Sequence, residues 1–175
     1  MWPFSKGTKS LESKAEFVAP LLMDVCKDTS ATLLMALLGV EASTKNPSLL
    51  QPIALEELSF VLHLTDRLVF AHYGAEQRAQ FMDALLPAVK KLLTPPSDAS
   101  LVTLYNTRQT FYASLRFPNS TKDLKGTLFW EFGKTLAVGY ANVNPVAVTM
   151  TAKFGAELLD LVDEVLRSAG IRGRR

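Results

Sequence analysis

Residues 52–73 read PIALEELSFVLHLTDRLVFAHY, and this stretch decides the fold. Ile53, Leu55, Leu58, Val61, Leu62, Leu64, Leu68, Val69 and Phe70 cover most of the circumference of a helix and leave one narrow polar strip. A helix apolar over so much of its surface belongs at the centre of a domain, so the rest of the chain has to cover it. Pro52 suits the first helical position, where its missing N–H loses no bond. Gly74 suits the residue just past the end.

The segments on either side are helical too. Before the central helix, Val18, Leu22 and Val25 share a face, and Ser13 with Glu16 has the spacing of a capping box. Pro20 kinks this helix or marks a start, and Asp28-Thr29-Ser30 can cap a second one. Residues 13–40 are therefore read as two helices, with one bent helix as the alternative. Glu41 to Gln51 reads as a loop around Asn46-Pro47. Beyond Gly74, Phe81, Leu85, Ala88 and Leu92 mark a helix over 75–93, kinked at Pro87. Leu101, Leu104, Tyr105, Arg108, Tyr112 and Leu115 mark one from Ser97 or Asp98 to about Phe117. Leu128, Phe129, Phe132, Leu136 and Tyr140 mark a helix over 123–142. Asn144 and Pro145 then form a cap and first residue for a last helix, reaching about Ser168.

Short alternating β-branched runs are missing. The expected fold is all-α: a single-domain bundle of six or seven helices, mostly antiparallel neighbours because the links are short. Residues 13–169 form the bundle, 1–12 a flexible N-terminal segment and 170–175 a basic tail. A chain of 175 residues is long enough for a full hydrophobic core. Apolar residues make up 48% of it, an excess that calls for a large core or a covered surface.

Several function classes drop out. The longest uncharged run, Thr135 to Ala152, is broken by Asn142, Asn144 and Pro145 and falls short of the ~20 continuous apolar residues of a membrane span. The N-terminus lacks a signal-peptide core, which makes the cytoplasm the expected compartment. Trp2 and Phe4 beside Lys6 and Lys9 can touch a membrane interface peripherally. Cys26 is the only cysteine, so no intrachain disulfide or CxxC site exists. The first 87 residues carry 7 basic and 10 acidic side chains and the rest 12 and 7, but no helix has a basic recognition face, so no nucleic-acid partner is expected.

Two constellations invite chemistry. His63 and Asp66 lie one turn apart on the polar strip with Glu56, Ser59 and Arg67, and together can touch one metal ion. His72 lies on the opposite face, so the two histidines cannot share an ion. The plainer reading is a polar face with a local His63–Asp66 hydrogen bond, and no metal or other cofactor is expected. Arg108 sits on an apolar stripe between Leu104 and Tyr112, where a guanidinium needs a partner. Either Arg108 with Tyr105 and Tyr112 forms an anion pocket, or Arg108 is ion-paired within the protein, with Glu131 and Asp66 as candidates.

The sequence is read first as a non-enzymatic interaction module, a homodimer or a partner-docking protein. The small residues Gly133, Ala137 and Ala141 form a groove on one helix, and Phe154 and Leu158 lie on an apolar seam of the last. The alternative is a bundle binding an amphipathic anion or lipid-like molecule. A metal-dependent enzyme using His63 and Asp66 is the third reading.

Overall fold

The computed structural model describes residues 10–95, 97–117 and 123–171. It is all-α. Among the described residues there are seven α-helices: α1 (Leu11–Leu38), α2 (Val40–Lys45), α3 (Leu50–Tyr73), α4 (Ala75–Leu92), α5 (Ser97–Ala113), α6 (Leu128–Tyr140) and α7 (Pro145–Ser168). No strand occurs among them; the one β-type contact is an isolated bridge between Arg116 and Thr127. Trp2, Phe4 and the arginines at 172, 174 and 175 lie outside the described residues.

The central position expected of residues 52–73 holds. α3 packs against α1, α4, α5, α6 and α7. Phe60, fully buried at its middle, stacks on Phe132 of α6 with ring centroids 3.9 Å apart and meets Tyr112 of α5 and Phe129 edge-on. Each such side chain contributes about 1.5–3 kcal/mol by leaving water. The expected helix end at Gly74 and helix start at Asn144 also hold. Gly74, at φ 79°, separates α3 from α4, and Asn144 accepts from the Val146 N–H with Pro145 as first helical residue.

Several boundaries differ from those expected. α1 begins at Leu11, because Ser10 rather than Ser13 caps it. It runs through Pro20 as one helix, not two: Thr29 and Ser30, expected as caps, turn inward to Glu57 of α3. The expected loop at 41–51 contains α2 and a 3-10 turn, Pro47–Leu49, so α3 starts at Leu50 and Pro52 is its third residue. α5 stops at Ala113. α6 starts only at Leu128, where the Thr127 hydroxyl accepts from the Trp130 N–H.

The faces assigned to an interface are occupied within the chain. A Cβ on Gly133 would lie 2.5 Å from the Val148 carbonyl oxygen and 3.1 Å from the Ala152 nitrogen, both backbone atoms of α7. The groove of Gly133 and Ala137, with Ala141 at its half-buried end, is therefore the seat of α7. Phe154 and Leu158 are buried in the same core. The small residues let α6 and α7 approach closely, and a monomer consumes the surface they offer.

Candidate functional site

The polar strip of α3 faces inward. Glu56, Glu57, Ser59, His63, Thr65 and Asp66 are all buried, with His63 only 1% exposed. The strip is thus not a solvated helix face: α1, α4 and α5 close over it and supply its partners.

Around Asp66 those partners form one chain across three helices. Arg78 of α4 grips the carboxylate with two N–H groups, Nη2 at 2.7 Å from Oδ2 and Nε on Oδ1. Gln109 of α5 donates its amide to Oδ2, also at 2.7 Å. Since the amide nitrogen faces Asp66, the amide oxygen faces His63, 2.7 Å from Nδ1. An oxygen can only accept, so Nδ1 carries the hydrogen and Nε2 the lone pair. The expected direct His63–Asp66 bond is replaced by this bridge through Gln109. Nε2 is buried and has no hydrogen-bond partner among the described residues. Burial, chiefly, lowers the His63 pKa and keeps the ring neutral, against the opposing pull of Gln109. The Asp66 carboxylate in turn raises the Arg78 pKa.

Arg67 is differently placed. Its guanidinium lies 4.3 Å from the ring centroid of Phe117 and donates from Nη1 to the Leu115 carbonyl at 2.5 Å. It forms no ion pair among the described residues, and the remaining residues of the chain include no Asp or Glu. Burial lowers its pKa, yet a guanidinium stays charged at any physiological pH. A cavity of about 570 Å³ opens here, lined by His63, Asp66, Arg67 and Arg78 on its polar side and by Phe70 and Phe117 with three alanines on its apolar side. Two guanidinium charges face one carboxylate, so the walls carry one uncompensated positive charge.

The other expected site residues are not brought together. Arg108 pairs through Nη2 with Glu56 of α3 at 2.8 Å, not with Glu131 or Asp66. Tyr105 and Tyr112 are buried, and neither lines the open hollow of about 670 Å³ that Arg108 shares with Glu56 and Tyr140. The Arg108 charge is neutralised inside the protein by Glu56, and of the three residues expected to form an anion pocket only Arg108 lines this hollow. Among the described residues no three His, Cys, Asp or Glu side chains cluster as a metal site would require. Cys26 is buried, and burial raises its thiol pKa well above the usual value.

Sequence reasoning missed Arg78 and Gln109 altogether. Both occupy ordinary positions on amphipathic helices, and only the approach of α4 and α5 to α3 gives them a role. Arg67 was visible on the strip, but no sequence signal said that its charge would go unmatched. No family model, no curated protein and no solved structure matches the chain.

Proposed function

We propose that the protein binds a small amphipathic monoanion, a carboxylate with an apolar body, in the Arg67–Arg78 cavity. The observation that carries this reading is the half-buried Arg67 guanidinium without a carboxylate, beside apolar walls. A ligand carboxylate supplies the missing charge and accepts the N–H groups that Leu115 leaves free. Phe70 and Phe117 shelter the apolar body. His63, Gln109 and Asp66, held in one hydrogen-bonded chain, fix the polar wall before the ligand arrives. The reading assigns no catalytic step. The lone buried Cys26 suits a reducing compartment such as the cytoplasm.

Calorimetric titration with octanoate tests this. Octanoate binds the wild type with one site per chain. Arg67→Met, which keeps the stem over Phe117, weakens binding at least about tenfold, the scale of one charge-assisted hydrogen bond. Unchanged binding in Arg67→Met rules the reading out.

One observation favours a second reading, self-association. The α6–α7 end displays Val138, Val143, Val146 and Met150, with Val146 67% exposed, inside a run without any charged residue. A two-fold contact sets a patch against itself, which an uncharged surface tolerates. Val143 also holds a left-handed backbone, φ 57°, unusual for a β-branched residue. In sedimentation at increasing concentration the wild type shifts toward dimer and Val146→Lys stays monomeric. A wild type that stays monomeric throughout removes this reading.

A further inference from the structure

Nine residues before Asp66 on the same helix, Glu57 is wholly buried, 0% exposed. It forms no ion pair with any described group of α1, α4, α5 or α7. Its neighbours are two hydroxyls of α1: Thr29 Oγ1 lies 2.5 Å from Oε1, and Ser30 Oγ lies 2.6 Å from Oε2. The same hydroxyls also touch carbonyl oxygens of their own helix, Thr29 to Val25 at 2.6 Å and Ser30 to Cys26 at 2.5 Å.

The hydrogens can be counted. Four close oxygen–oxygen contacts share two hydroxyl hydrogens, because each hydroxyl has one to donate. With Glu57 ionised, two contacts have no hydrogen between them, and a full charge sits in an apolar interior without a cation. A proton on Glu57 fills one of the empty contacts: the carboxyl donates to one hydroxyl, which passes its own hydrogen to the carbonyl behind it. It also removes the charge, whose burial is the larger penalty. Glu56, the adjacent acid, faces Arg108 instead, and the titratable group that senses Glu57 from α1 is the Cys26 thiol.

We propose that Glu57 is a proton-binding site of the folded protein, holding its proton in mildly acidic to neutral solution, and that losing it loosens α1 from α3 around Cys26. The site ties two adjacent hydroxyls of α1 to α3, so an uncompensated charge there pushes directly on the contact between the two helices. Burial without a counter-charge, outweighing the two hydroxyl bonds, raises the Glu57 pKa from 4.5 to about 7, in line with the hydrogen count.

The test compares the wild type with Glu57→Gln, which keeps the shape of the protonated side chain and cannot ionise. Between pH 5.5 and 8.5 the unfolding constant, from urea denaturation, rises about 30-fold more in the wild type than in the variant. The histidines are common to both proteins, so their titration cancels. At pH 8.5 a disulfide reagent modifies Cys26 several times faster in the wild type. The same pH dependence in both proteins, or equal Cys26 rates, overturns the proposal. Should the variant not fold, carbon-13 titration of the wild-type glutamate carboxyls decides: a Glu57 midpoint near neutrality supports the site, and one at or below pH 5 overturns it.

Discussion

Two carboxylates from opposite halves of α3, Asp66 and Glu57, are each buried beside a cavity, and their charges are handled in opposite ways. In the C-terminal half, Asp66 is met by Arg78 and by the Gln109 amide, and the neighbouring cavity is lined with charge. In the N-terminal half, Glu57 meets only hydroxyls. Its partner Ser30 lines a smaller cleft of about 330 Å³, whose walls include Met23, Ala54, Leu55 and Leu58. A buried acid needs a partner that removes its charge: a guanidinium does so for Asp66, and a proton does so for Glu57. Ionic walls suit an anionic ligand beside Asp66, and a neutral side chain suits the contact of α1 with α3 beside Glu57.

Removing the cation tests the contrast most strongly. Arg78→Met leaves Asp66 buried and unmatched, and thermal unfolding should show a loss of about 3 kcal/mol, at the low end for a broken buried pair because one third of Arg78 is exposed. A loss under 1 kcal/mol would mean that Gln109 alone satisfies Asp66. The corresponding change at the other end has the opposite sign. Glu57 holds its proton more tightly folded than unfolded, so its contribution is complete below pH 4.5 and disappears as pH rises through about 7. Glu57→Gln therefore matches the wild type near pH 5 and exceeds it by about 2 kcal/mol at pH 8.5, relative to pH 5.5. The smallest effect is expected for Gln109→Leu, about 1 kcal/mol, which deprives His63 Nδ1 and one Asp66 oxygen of their bridge. In that variant the His63 ring no longer has its hydrogen fixed on Nδ1, and nitrogen-15 spectra of the imidazole should show mixed tautomers.

The fold was legible in the sequence to the extent that its signals are local. The apolar wrap of residues 52–73, the glycine at 74 and the Asn144-Pro145 pair each act within a turn or two, and each does what its chemistry requires. Thr29 and Ser30 show where local reading fails. Alone they are good caps, but Glu57, far along the chain, offers both hydroxyls an acceptor, and α1 continues unbroken. The site lies at the same boundary of what sequence can tell. His63, Asp66 and Arg67 stand out on the strip, yet a polar strip looks the same whether water or protein covers it. Its partners, Arg78 and Gln109, come from two other helices. Gly133 and Ala137 were recognisable as a place for a close helix; that the helix is α7 of the same chain depends on the hairpin that joins them.

The claim that the charged end of α3 is the ligand site is tested most directly by mapping octanoate onto the protein with side-chain NMR spectra. The account predicts that shifts concentrate at the Arg67 Nε–H, the Gln109 amide and the rings of Phe70 and Phe117. Shifts centred instead on Met23, Leu55 and Leu58, or on Leu104 and Tyr140, or no shifts at all, would contradict it.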